Sequence, residues 1–455
     1  MISRRSDSSR PPEHRLAFLD QTALELLRTT GRNQLIQSVW IYEHPVDLER
    51  LKRFHHNLYA SLASRLIERS PLPFGRPRWV RSADEPPPIQ HGAGSRPRSE
   101  LMAWADELGT LPIDPERGPA CYVAVQPLDD GATAVSVVAS HVISDGVGGM
   151  LAIFEAVTGH IRNPGYDTRR SRPRSRAIVE DLMQAARDLP LTIRTAVGAV
   201  KLVRENKGAV LAGRATSDPK PDDRHVVLPS VVLYIDIAEW DARAESLGGN
   251  SYSLLAGFAA KLAQRMGRTR KSDGMVSLSI AINLRESLDD DRALAMAFAN
   301  VAVDPATVTT DLAQARAAIR RARELAKGET DPAMELMALI PWAPRRGARL
   351  ITELLFGYSN DLPVSCSNLG DLPSELACID GTPAEYVFIR ALDTSVTLGE
   401  LRRSHGQLVV VSGRINGKVS ISVEAYQLDA ENSHARLRRI VRSALAEFGL
   451  TAVIG

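Results

Sequence analysis

The sequence predicts an α/β protein built as two similar halves, and three observations carry that expectation. A chain of 455 residues exceeds what one core usually organises, so length points to two or three domains. Strand-like and helix-like stretches are mixed in the residues up to 160 and again in those after 225. Between them the composition turns arginine-rich. The expected division is therefore 1–160, a basic helical connector at 161–225, and 226–455.

In the first part, "LAFLDQTALELLRTT" predicts a helix with Asp20 as a candidate cap, and "NQLIQSVWIYE" a strand. "DLERLKRFHHNLYASLASRLIERS" reads as one helix capped by Asp47, with apolar residues at helical spacing. After a proline-rich loop, "ELMAWADELGT" is a short helix. "ACYVAVQPL" and "ATAVSVVASHV" are strands joined by the turn "DDG", and "GVGGMLAIFEAVTGHI" is a helix. In the last part, "HVVLPSVVLYID" and "GMVSLSIAINL" read as strands, with the helix "SLLAGFAAKLAQRMG" between them. "TTDLAQARAAIRRARELAKG" is a further helix and "SHARLRRIVRSALAEFG" the closing one. The alternation in "QLVVVSGRINGKVSISVEAY" around Asn416-Gly417 is the strongest hairpin signal in the chain.

Composition narrows the function classes. Hydrophobic residues make up 44%, charged residues 24%, and the net charge is +2, as in a soluble globular protein with no global attraction to nucleic acid. Neither zinc-finger spacing nor an RNA-recognition aromatic signature occurs. Cys121, Cys366 and Cys378 form no C-x-x-C pair, so a disulfide framework is not expected and a reducing cytosol fits. The basic start "MISRRSDSSRPPEH" is not followed by the apolar run of a signal peptide, and no stretch reaches the roughly 18 apolar residues of a membrane span. A cytoplasmic protein is expected, soluble or peripheral on the inner face of the membrane. Residues 162–214 hold twelve basic and five acidic residues, an excess of about +7. "AIVEDLMQAARDL" and "TIRTAVGAVKLVREN" predict two amphipathic helices there, densest in arginine at Arg169, Arg170, Arg172, Arg174 and Arg176, and "SDPKPDDR" a linker. Such a segment can meet an anionic membrane, the phosphates of a cofactor-like substrate or an acidic protein; a solvated, mobile linker is the plainer alternative.

The stretch "ASHVISDGVGGM" (139–150) concentrates the chemistry. His141 falls at a strand end, Asp145-Gly146 in the turn before a helix. A histidine titrates near neutral pH and can act as a general base when it sits within reach of a proton donor. A strand end is a rigid mount, and glycines after it leave room for a substrate. From spacing alone, a capped turn carrying a solvated histidine is an equal reading. No phosphate loop is present, since no G-K-[ST] follows the glycines. The cysteines lack a neighbouring base in sequence, which argues against a thiol nucleophile. His55 and His56 belong to a helix surface, and Trp40, Trp79, Trp104, Trp240 and Trp342 are expected in cores.

"SHVISDG" resembles the H-x-x-x-D-G motif of the CoA-dependent acyltransferase superfamily. "LPIDPERGPACYVAV" resembles the segment that precedes the motif strand in wax ester synthases. "INLRESLDDDRALAMAFANVAV" resembles the "N-L-R … G-N" segment of the second half, with Asn283, Arg285 and Asn300 in place, and "VSCSNLGDLP" the "S-N-x-x-G" segment after it. The likeness runs from about residue 16 to 428 and fits best the wax ester synthase/diacylglycerol acyltransferase-like and polyketide-associated branches. There are departures: Ser140 stands where a second histidine is usual, Asn250-Ser251 replaces "N-D", Ala299 replaces the glycine before Asn300, and no "DFGWG" occurs.

The resemblance implies two chloramphenicol acetyltransferase-like lobes, each with a mixed sheet and helices, and an active-site channel between them. It implies acyl transfer from an acyl-CoA to an alcohol, lipid or secondary-metabolite, without metal, cofactor or acyl-enzyme. His141 matches the general base. Asp145, followed by Gly146, matches a carboxylate that points away from substrate and pairs with Arg285. Ser367 and Asn368 match donors to the oxyanion, and Asn300 supports the site. Two other expectations stay open: a condensation-type enzyme using an acyl carrier protein thioester with an alcohol or amine acceptor, and a non-catalytic member that binds a lipid or carrier partner.

Overall fold

The computed structural model describes residues 14–205 (side chains to 198), 222, 224–328, 335–343, 347 and 363–455. The first lobe contains α1 (Phe18–Thr30), β1 (Asn33–Tyr42), α2 (Leu48–Ala60), β2 (Arg65–Glu68), β3 (Arg78–Arg81), β4 (Gln90–His91), α3 (Leu101–Glu107), β5 (Cys121–Pro127), β6 (Thr133–Ser140) and α4 (Gly146–Thr158). A connector helix, α5 (Arg174–Glu205), follows. The second half continues with β7 (Ser230–Asp236), α6 (Ile237–Ser246), α7 (Ser251–Arg265), β8 (Val276–Asn283), β9 (Met296–Val303) and α8 (Ala313–Gly328). It ends with β10 (Val364–Asp371), β11 (Tyr386–Thr394), α9 (Leu398–Arg403), β12 (Gln407–Ile415), β13 (Lys418–Tyr426), α10 (His434–Glu447) and β14 (Val453–Ile454).

Local chemistry accounts for much of this. Asp47 caps α2 by accepting the N–H groups of Glu49 and Arg50, and Leu51, Phe54 and Leu58 form its buried stripe. The helix stops at Ala60, ten residues before its expected end. Ser61 turns to extended backbone there, its hydroxyl donates to the buried Glu155 at 2.9 Å, and 65–68 pairs with β3 instead. Strand pairing that buries Leu66 and Ile67 has overridden helical propensity. Between β12 and β13, Asn416 and Gly417 both have positive φ (49° and 74°), as a two-residue hairpin turn of the type favoured by Asn-Gly requires.

Each lobe has a mixed sheet. The five-stranded sheet runs β11-β1-β6-β5-β4, and the seven-stranded sheet β14-β7-β13-β12-β10-β8-β9. In the second sheet β10 lies parallel to both β8 and β12. The first sheet is completed by a strand from the other half: β11 pairs antiparallel with β1, Val39 opposite Phe388. Val387 and Ile389 join the core of the first lobe, whereas Phe388 packs in a cluster with Val232 and Tyr234 of the second. The two lobes therefore share a core. Arg390, fully buried on the same strand, donates to Gln37 (2.7 Å), Asp106 (2.6 Å) and Ser230 (2.8 Å), which come from three different elements.

Two expectations need correction. The connector is not a pair of helices: α5 is a single helix of 32 residues that runs through Pro190, and buried ion pairs hold it against the first lobe. The "SDPKPDDR" stretch lies outside the described residues except for Asp222 and Arg224. Trp40, Trp79, Trp104 and Trp240 are core residues, but Trp342 is 39% exposed and stacks on Phe74.

Candidate active site

His141 is the first residue after β6. Its backbone N–H donates to the Gln34 carbonyl at 2.8 Å, so the strand end is anchored on its neighbour. The residue is half-buried, and no hydrogen bond engages its imidazole among the described residues. The ring is chemically uncommitted on a fixed backbone.

Asp145 caps α4, accepting the Gly148 N–H at 2.7 Å. The same carboxylate accepts the Ala295 N–H at 2.8 Å, and Arg285 Nη1 lies 2.7 Å from both of its oxygens. Both oxygens thus have two donors, and none of these is His141. A His–Asp dyad is excluded by geometry. Arg285 is equally occupied: Nη2 donates to the Arg292 and Ala293 carbonyls at 2.7 and 3.2 Å. Its side chain and that of Asp145 are each 4% exposed.

These bonds fasten the loop between β8 and β9, which belongs to the second lobe, onto the first. Asp20 adds to the clamp. It lies inside the first turn of α1, and its carboxylate accepts the Ala17 N–H at 3.0 Å and the Leu294 N–H at 3.1 Å. Arg65 donates to the Asp291 carbonyl at 2.9 Å and Arg162 to that of Leu288 at 2.6 Å. Two glycines make room for the arrangement. A Cβ on Gly148 would come within 2.7 Å of Arg285 Nη2, and one on Gly146 within 2.9 Å of Leu369 on β10. Gly148 is thus a site residue that the motif alone did not reveal; its only trace in sequence is the glycine excess in "GVGG".

The second approach to α4 comes from β10. Asn368 Oδ1 accepts the Gly370 N–H at 2.8 Å, which leaves the amide nitrogen free to donate. Ser367 is half-buried on the same strand. The contact between Leu369 and Gly146 brings this strand end beside the motif helix. Asn300 does not join them: it is exposed on edge strand β9, opposite Ser279, with no bond to the Asp145–Arg285 cluster among the described residues. Burial pushes the thiols of Cys121 and Cys366 up to about 12, which keeps them protonated and unreactive.

A cavity of about 380 Å³ lies between α8 and the start of α7. Arg316, Arg320, Arg323 and Lys327 line it, with Glu324 the single acid. Their spacing (i, i+4, i+7, i+11) places four cations on one helix face, an arrangement that repels itself unless an anion intervenes. None of the four has an ion-pair partner among the described residues. The buried Tyr252 hydroxyl, also at the cavity, has no hydrogen-bond partner there. Tyr252 packs against the core cluster that contains Cys366, the residue before Ser367. The charge pattern was legible in "RAAIRRARELAK", but a basic helix face is usually just solvated, and only the cavity gives it meaning.

No family model and no curated protein matches the chain. Solved structures do. The first condensation domain of the calcium-dependent antibiotic synthetase, in complex with a substrate analogue, aligns with a TM-score of 0.56 at 14% identity, over 96% of this chain and 97% of that one. Trichothecene 15-O-acetyltransferase from Fusarium sporotrichioides gives 0.55 at 12% identity, over 95% and 93%. The tallysomycin biosynthesis protein TlmII gives 0.50 at 14%, over 96% and 97%. At such identities the likeness is one of fold. The chain has the two-lobed chloramphenicol acetyltransferase-like architecture along nearly its whole length. Proteins of that fold named here include both a condensation domain and an O-acetyltransferase, so fold alone does not choose between their chemistries.

Two predictions follow from the clamp. Breaking one side of a buried ion pair commonly costs about 3–5 kcal/mol, so Asp145→Asn and Arg285→Ala should each lower unfolding stability by that order. In a double-mutant cycle read by urea unfolding, the pair of changes should cost clearly less than the sum; additivity would mean the contact is absent in solution. Asp20 makes a pH prediction. Burial raises its carboxyl from the ordinary 3.8 to about 6, so the fold favours the neutral form. Its contribution is full below 3.8 and is lost as pH rises through about 6. Asp20→Asn cannot titrate. Across that window the stability difference should move against wild type by on the order of 3 kcal/mol, measured by unfolding both proteins at either end.

Proposed function

We propose that the protein is an acyltransferase that moves an acyl group from a CoA thioester to an alcohol, with His141 as general base. The observation that carries this reading is the contrast within the motif. Both oxygens of Asp145 are occupied in bonds that cap α4 and hold the two lobes together, whereas the His141 ring, a few residues away on an anchored strand end, makes no hydrogen bond among the described residues. One group is structural and the other is available.

The step balances without metal or acyl-enzyme. A hydroxyl approaches the His141 ring, which takes its proton. The hydroxyl oxygen bonds to the thioester carbonyl carbon, and the carbonyl oxygen becomes an oxyanion. As the C–S bond breaks, the imidazolium returns the proton to the departing thiolate. Donors at the oxyanion are commonly worth a few kcal/mol, and the free amide nitrogen of Asn368, with the Ser367 hydroxyl, is assigned that part. Gly146 keeps the approach to α4 narrow, and Asn300 is assigned only to the support of its strand.

The donor is chosen by charge. CoA carries several phosphate charges, and the α8 cavity offers four cations with no ion-pair partner among the described residues. A carrier-protein thioester brings a single phosphodiester and needs less. The condensation-domain likeness favours that second reading, with an amide or ester product, and it is tested in parallel. A third, a non-catalytic binding member, corresponds to no turnover with any donor.

Incubation with acyl-CoAs and alcohols should release free thiol, detected by a thiol-reactive dye. His141→Ala should lower the rate by about 10²–10⁴-fold with unfolding stability retained; activity within about tenfold of wild type removes His141 from the base role. Arg320→Ser with Arg323→Ser should raise KM for acyl-CoA while leaving kcat, and turnover of a phosphate-free N-acetylcysteamine thioester, nearly unchanged. Equal loss with both donors would place these arginines outside the donor site.

A further inference from the structure

Helix α5 is folded inside out. At 100° per residue, Asp181, Gln184, Asp188, Thr192 and Thr195 fall on one side, and Val179, Leu182, Met183, Leu189, Ile193 and Val197 on the opposite side. In an ordinary surface helix the second set faces the core. Here Asp181, Gln184, Thr192 and Thr195 are at most 9% exposed, while the six apolar residues are 44–68% exposed. The orientation is locked. Asp181 pairs with Arg15 at 2.7 Å and Arg172 at 3.0 Å and accepts from Ser70; Asp188 pairs with Arg76 at 3.2 Å and accepts from Gln184 at 3.0 Å.

The charges along the outward stripe are mainly basic. Arg176, Arg187 and Arg194 lie along one edge of it, and the side chains of Arg176 and Arg194 are 72% and 76% exposed. Arg194 also meets Glu335 at 3.5 Å, a solvent-exposed pair of the kind worth little and readily exchanged for another anion. The acids of this stretch are turned away or occupied: Asp181 and Asp188 are on the docked side, and Glu180 is held by Arg172 and Arg176. Much of the arginine run before the helix is used internally, since Arg172 is 7% exposed in its ion pairs and Arg169 donates to the Arg117 carbonyl. No helix among the described residues is long and apolar enough to cross a membrane. An apolar stripe bordered by arginines, on a helix that does not span, suits the headgroup layer of a bilayer.

We propose that the outward face of α5 docks the protein on an anionic membrane surface, the apolar stripe entering the headgroup boundary and Arg187 and Arg194 meeting lipid phosphates. The proposal is independent of the reaction assigned above. It is tested by flotation with vesicles of phosphatidylcholine, with and without phosphatidylglycerol. Wild type should float with the anionic vesicles and less with neutral ones. Leu182→Gln, Leu189→Gln and Ile193→Gln together replace exposed side chains, so unfolding should be unchanged while partitioning falls roughly tenfold or more. Arg187→Ser with Arg194→Ser should weaken binding at low salt and matter little at high salt, where surface charges are screened. Wild type left unbound by anionic vesicles at low salt overturns the proposal, as does a triple variant that floats like wild type. A triple variant that instead converts a dimer to a monomer, with no vesicle binding by wild type, assigns the face to a second copy and overturns it too.

Discussion

The buried pair of Asp145 and Arg285 is the constraint on which the rest of the site depends. Each charge is removed from water, and each is tolerated because the other is there and because backbone groups of residues 148, 292, 293 and 295 take up further hydrogen bonds of the carboxylate and of Arg285 Nη2. A network of this kind has one good geometry. It sets where α4 begins, how close the β8–β9 loop approaches, and why a side chain cannot be added at Gly148. It also leaves His141 out of the network: both carboxylate oxygens are occupied by other donors, and Asp145 makes no bond to the imidazole.

The lobes are similar in architecture but not separable in structure. β11 leaves the second half to lie beside β1, so the five-stranded sheet reaches completion only when the other lobe is present. The crossing carries polar groups into the shared core. Arg390 donates through Nε to Gln37 and through Nη1 to Asp106 and Ser230. Nearby, burial holds the Glu424 carboxyl well above the ordinary range, and Gln407 donates to it at 3.0 Å. These contacts use side chains from distant parts of the sequence, and they fix the crossing strand in register more specifically than apolar packing alone.

Against that background the connector is more than a tether. Its polar side is fixed to the first lobe by ion pairs that also recruit Arg15 and Arg76, and its apolar side is presented outward. The polarity of a helix in a soluble protein is normally set by its own core. Here it is set by buried charges, which turn the hydrophobic stripe into surface.

The sequence by itself determined what depends on neighbours along the chain. Asp47 caps a helix, Asn416-Gly417 closes a hairpin, and His141 stands at a strand end with Asp145 opening the next helix; each rests on a few consecutive residues and their backbone preferences. The resemblance of "NLR" and "SNLG" also pointed to Arg285 and Asn368 as residues to examine. Only the tertiary structure decided what depends on partners far away. Residues 65–68 became a strand because β3 was there to pair with them. β11 joined the other lobe because its two faces could be buried in different cores. Gly148 mattered because an arginine from beyond residue 280 passes over it, and the cations of α8 mattered because a cavity opens beside them. The periodicity of α5 announced an amphipathic helix, but which side faces the protein was settled by Arg15, Arg76 and Arg172, whose charges could be buried only against its polar side.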